Sequence, residues 1–214
     1  MTRHQNFDYI LATGAPGSRW SGVIKGIYYS ADINQTDYRK KNEFYFNKDD
    51  KLDDEKKPNH FATYFGTGQK YGVQRDEWDK PFKKDSEGIK IIKSHDFAYQ
   101  LEHLTKYAQP IIIVSRSPVD CFEWWHEAGG WNIKYPNYKH YVDDDMLFLE
   151  IENQCAEIQR FLHYNKSHIT KCNNPYELCD NIDISRPDDI FSHTRGQYNF
   201  YEENDTKVYL WLKK

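Results

Sequence analysis

Apolar and polar positions along the chain fall into three regimes. The first consists of short, unbroken apolar runs that end in small or polar turn-formers, the pattern of strands buried on both faces. Phe7 to Thr13 is the first such run, stopped by Gly14-Ala15-Pro16-Gly17-Ser18. Ile89 to Ser94 is the second, running into Lys93-Ser94-His95-Asp96. Pro110 to Val114 is the third; its four consecutive β-branched residues carry no polar alternation, as a central parallel strand requires.

The second regime has helical spacing. Trp20 to Tyr29 is predicted as a helix with Ser18 as its N-cap. Phe97 to Tyr107 follows the second strand. Val119 to Glu127 follows the third, with Ser117 as N-cap and Pro118 in the first turn. The clearest helix is Asp143 to Tyr164. Leu147, Ile151, Cys155, Ile158 and Leu162 recur there at spacings of three and four, and Asp143, Asp144 and Asp145 sit at its positive end. Ser167 to Cys172 predicts a fourth strand, Asn173 to Asn204 is loop-rich, and Lys207 to Leu212 is a last strand or a packed tail. Strand–helix alternation predicts an α/β protein of three layers. A central parallel sheet of four to five strands would carry helices on both faces, joined by right-handed crossovers. The ligand would sit at the strands' carboxyl ends.

The third regime, about 30–88, is polar, charged and aromatic. Asp49 to Pro58 reads as a solvated loop. His60 to Tyr71 reads as a substrate-facing loop or as a satellite cluster under a long insertion. The expectation is one domain over residues 1–214 with this insert.

Composition narrows the functional classes. Lys plus Arg (29) against Asp plus Glu (33) leaves a net charge of −4, without the basic excess of a nucleic-acid binder. Hydrophobic content is only 38%, but 17 Tyr, 12 Phe and 6 Trp add buried area. No apolar run approaches the roughly 20 residues that span a bilayer, and Met1 to Phe7 has no signal-like stretch, so no membrane partner and a cytoplasmic location are expected. Cys121, Cys155, Cys172 and Cys179 form no CxxC pair and read as reduced thiols, with Cys121 and Cys155 in the core. His126, His140, His163 and His168 lack ligand spacing, Asp143 to Asp145 is a helix start, and no metal is expected. Trp124 and Trp125 read as core.

Gly14-Ala15-Pro16-Gly17-Ser18-Arg19-Trp20-Ser21 overlays the phosphate-loop pattern G-x-x-x-x-G-K-[ST] imperfectly. Gly14 and Ser21 match, while Arg19 stands at the second glycine and Trp20 at the lysine. Losing the lysine disfavours ATP hydrolysis and kinase chemistry. Backbone amides from Gly17 to Ser21 remain able to cradle a phosphate at a helix N-terminus.

Three strand ends together resemble the nucleotide-dependent sulfotransferases: Pro16-Gly17-Ser18-Arg19-Trp20-Ser21 against P-x-S-G-T-[ST], Lys93-Ser94-His95 against K-[ST]-H, and Arg116-Ser117-Pro118-Val119-Asp120 against R-[NS]-P-x-D. Arg195-Gly196 is similar to the family's later R-K-G segment. The resemblance implies a P-loop-NTPase-like fold. It also implies transfer of a sulfuryl group from 3′-phosphoadenosine 5′-phosphosulfate to a hydroxyl or amine of a small-molecule or glycan acceptor, with no metal. By the same resemblance, Pro16, Gly17, Ser18, Arg19, Trp20 and Ser21 would hold the 5′-phosphosulfate. Arg116 would hold the 3′-phosphate, with Arg195 and Gly196 assisting. His95 would be the general base, Lys93 would stabilise charge on the transferring group, and Arg19 would replace the loop lysine, whose place falls on Gly17. Trp124 stands where the family has a serine. A histidine's ordinary pKa and an arginine's bidentate geometry suit these roles. The rival readings are a P-loop nucleotide or small-molecule kinase, and a catalytically degenerate nucleotide-binding protein.

Overall fold

The computed structural model describes residues 7–36, 75–127, 130–132, 142–188 and 206–213. Most of the insert, including Asp49 to Pro58 and His60 to Tyr71, and the Arg195-Gly196 pair lie outside the described residues.

Five strands form the sheet: β1 (Tyr9–Gly14), β2 (Lys90–Lys93), β3 (Ile111–Ser115), β4 (Ile169–Cys172) and β5 (Lys207–Trp211). Their spatial order is β2-β1-β3-β5-β4. β1 pairs in parallel with β2 and β3, with Ala12 opposite Lys93 and Gly14 opposite Val114. The sheet is mixed, against the expectation of a parallel one. β5 enters at the carboxyl edge with Lys207 opposite Ser115, and runs antiparallel to both β3 and β4. Apolar periodicity marks a buried strand but carries no sign for its direction.

Every residue of β1 and β3 is buried. Alternate side chains feed opposite faces, because the strand period is two. Ile10, Ala12, Ile112 and Val114 join Val23, Ile24 and Ile27 of α1 (Trp20–Tyr28) and Leu178, Cys179 and Ile182 of α5 (Pro175–Ile182). Leu11, Ile92, Ile111 and Ile113 join Leu101 and Leu104 of α2 (Leu101–Leu104) and Ile158, Phe161 and Leu162 of α4 (Asp144–Tyr164). Burying each such isoleucine contributes about 1.5–3 kcal/mol before chain entropy. The result is a sheet with helices on both faces.

Local chemistry explains the helix boundaries. Asp143 caps α4, its side chain accepting from Met146 N at 2.8 Å. Ser117 Oγ accepts from Asp120 N at 3.1 Å, starting α3 (Pro118–Glu127) with Pro118 at its first position. α1 differs from expectation. Arg19 in the left-handed region (φ 65°), not Ser18, precedes it, with no side-chain cap. The expected helix after β2 is segmented: a 3₁₀ turn at His95–Gln100, then α2, then a 3₁₀ turn at Thr105–Tyr107. α5 lies in the stretch expected to be loop. Asn174, whose side chain accepts from Glu177 N at 2.8 Å, with Pro175 in the first turn, is the signal that marks it. Among the described residues, no helix is long and apolar enough to cross a membrane.

The chain leaves β1 toward β2 on one side and leaves β3 toward β5 and β4 on the other. The carboxyl ends of β1 and β3 are therefore the point where the strand order reverses, the place where open α/β sheets generally bind ligands.

Candidate functional site

The loop after β1 is held by close packing. Ser18 N donates to Ala15 O at 3.0 Å, closing a tight turn. Gly17 has φ 76°, and a Cβ there would meet the Cys121 carbonyl oxygen at 1.8 Å. No lysine fits this position, so the departure from the family pattern at Gly17 follows from the loop's contact with α3. Ser18 is fully buried, and its Oγ has no hydrogen-bond partner in the structure. At the start of α1, Gly22 N bonds Arg19 O at 2.9 Å. The first amides of a helix have no intrahelical acceptor, which leaves the preceding turn suited to an anion. Ser21 lies in this first turn, and its side chain is outside the described residues.

Arg19, the expected replacement for the loop lysine, lies with its guanidinium 3.7 Å from the centre of the Trp124 ring. The residues at two departures from the sulfotransferase pattern thus touch each other. Such a pair contributes about 0.5–1 kcal/mol when exposed and more when desolvated.

At the end of β2, Lys93 and His95 are buried together against Trp20. Lys93 Nζ stands 5.2 Å from the Trp20 ring centre, and the His95 ring lies 4.3 Å from it at a 42° tilt. His95 Nδ1 bonds the Gly14 carbonyl oxygen. Because that oxygen only accepts, Nδ1 carries the proton and Nε2 is the basic nitrogen. Burial pushes the imidazole down to about 3, and the Lys93 charge adds to this while the Gly14 bond opposes it. His95 is therefore neutral across the physiological range. Trp20, expected in the donor loop, has its ring against both Lys93 and His95, a contact that its place in the loop motif did not signal.

At the end of β3 the arrangement is open. Arg116 Nη1 donates to Asp120 O at 2.8 Å and to Gly17 O at 3.4 Å. The guanidinium thereby ties the loop to the first turn of α3. The residue itself also lines a cavity of about 570 Å³ with Ser115, Ser117, Glu152, Gln159 and Lys207. The Asp120 carboxylate accepts from Ser117 Oγ at 2.5 Å, so Arg116 engages the Asp120 backbone. Lys207 was not foreseen as a site residue. Only the register of β5 brings it beside Ser115.

The chain matches no protein-family model, no curated protein and no solved structure. The site is accordingly read from its geometry. Of the expected site residues, Gly17, Ser18, Arg19, Trp20, Lys93, His95 and Arg116 converge on the carboxyl edge of β1, β2 and β3, with Pro16 buried in the loop's turn. Among the described residues, no three His, Cys, Asp or Glu side chains gather as a metal site needs.

Proposed function

We propose that this protein is a sulfotransferase. In this reading it moves a sulfuryl group from 3′-phosphoadenosine 5′-phosphosulfate to a hydroxyl or amine of a small molecule or glycan. One observation carries the reading: Arg116, whose side chain bonds the loop at Gly17 O, is also a lining residue of the cavity beyond β3. A ligand with phosphates at both ends of an adenosine needs two anion sites joined in this way. The residues fit such a donor. Ser18 Oγ and the first amides of α1 would take the 5′-phosphosulfate, and Arg116 with Lys207 would take the 3′-phosphate. The P-loop-like character of the fold belongs to this reading, as does placement of the protein in the cytoplasm.

Sulfuryl transfer needs in-line positioning and stabilisation of charge on the leaving oxygen. Lys93 and Arg19 supply that charge beside the loop. His95 Nε2 receives the acceptor's proton as the new S–O bond forms. A base this weak works only beside an anion. The bound donor provides one and raises the imidazole toward the useful range.

The test is turnover. With the donor and a panel of phenols, sugars and amines, sulfated product should form without Mg²⁺, and His95→Ala should abolish it. Product that requires ATP and Mg²⁺ instead would establish the kinase. A second reading, a nucleotide-binding protein without transfer chemistry, is favoured by the packing of Trp20 on His95. Donor binding without turnover on any acceptor would establish it.

A further inference from the structure

Cys121 of α3 and Cys155 of α4 are buried in one cluster with Ala15 of the loop. Cys155 lines the 570 Å³ cavity, and its Sγ donates to Arg116 O at 3.5 Å. Cys121 is fully buried in the same cluster, on the neighbouring helix. The interaction of the two thiols draws Cys155 below its ordinary range and pushes Cys121 up. Both cysteines also hold the loop. Gly17 packs on the Cys121 carbonyl, and the side chain of Arg116, whose carbonyl takes the Cys155 bond, reaches Gly17 O. The other cysteines differ. Cys172 and Cys179 are buried, do not line the cavity, and are pushed up by burial to about 11 and about 12.

We propose that Cys155 and Cys121 are a dithiol modification site, oxidised by a hydroperoxide that enters the cavity, and that their bridging shifts the loop 15–19. The Cys155 thiolate attacks one peroxide oxygen. An S–O bond forms, the O–O bond breaks, and water or an alcohol leaves with the thiol proton. The Cys121 sulfur then attacks the sulfenic sulfur, an S–S bond forms, the S–O bond breaks, and water leaves. Two thiols are oxidised by two electrons and one peroxide is reduced. Bridging draws α3 toward α4, and the contact at Gly17 passes that movement to the loop. This inference goes beyond the transferase reading, and its test reads sulfur chemistry and backbone accessibility, not nucleotide binding.

Wild-type protein is treated with hydrogen peroxide, alkylated and mapped by mass spectrometry. Native tryptic cleavage after Arg19 is followed in parallel. The expected result is a Cys121–Cys155 bridge, formed roughly tenfold or more faster than any oxidation of Cys172 or Cys179, with faster cleavage after Arg19. In Cys121→Ser, a sulfenic-acid trap should label Cys155. Equal oxidation of all four cysteines, or no bridge, overturns the proposal. A bridge with unchanged cleavage overturns its coupling to the loop.

Discussion

The carboxyl ends of β2 and β3 lie on either side of β1 and carry the same kind of residue, a cation beside the loop that follows β1, in different surroundings. At β2, Lys93 and His95 are enclosed by Trp20. At β3, Arg116 is also buried, but it lines a cavity together with Lys207. The difference teaches that strand-end charge alone does not define a binding group. In the proposed reading, Arg116 would meet the donor from the cavity side, whereas Lys93 and His95 would act only on what the loop presents to them.

The sealed side should break hardest. Trp20→Ala removes the ring packed on both Lys93 and His95 and should cost about 3–5 kcal/mol, read as a lower denaturant midpoint at unchanged slope. Gly17→Ala forces a left-handed β-carbon into the Cys121 carbonyl. It should cost about 2–4 kcal/mol and displace the loop, seen by the same titration. On the open side, Arg116→Ala orphans hydrogen bonds to Gly17 and Asp120, and should cost only about 1–3 kcal/mol while abolishing binding of an adenosine bisphosphate. If it destabilised the protein as much as Trp20→Ala, the contrast between the two sides would fail.

His95 sharpens the comparison through pH. Its folded value, about 3, lies below its ordinary 6.5, so the unfolded chain binds the extra proton between these values. Its contribution is fully present above about pH 6.5 and is lost as pH falls toward 3, at up to about 1.4 kcal/mol per pH unit. His95→Gln should flatten the stability–pH curve in that window. An unchanged slope would mean that the imidazole is not sealed. The smallest effect belongs to Trp124→Ala, which removes the ring under Arg19 and should cost about 0.5–1 kcal/mol, measured by thermal unfolding.

Much of the sheet was legible because β1 and β3 are apolar without interruption, and α4 because Leu147, Ile151, Cys155, Ile158 and Leu162 keep one stripe. The antiparallel course of β5 was not, since Val208 and Leu210 would be buried in either direction. Among the candidate site residues, the strand-end positions of Lys93, His95 and Arg116 were legible in the sequence. The packing of Trp20 on His95, 75 positions along the chain, and the arrival of Lys207 beside Ser115 depend on tertiary register, which no local pattern encodes. α5 was hidden by polar residues, although its capping pair, Asn174 and Glu177, was present in the sequence.

The central claim is that Arg116 joins two anion sites for one adenosine bisphosphate. Calorimetric titration of 3′,5′-adenosine bisphosphate against ATP–Mg²⁺, on the wild type and on folded Arg116→Ala, tests it most directly. The account predicts saturable binding of the bisphosphate in preference to ATP–Mg²⁺, lost in the variant. No binding of the bisphosphate, binding that survives in Arg116→Ala, or a preference for ATP–Mg²⁺ would contradict it.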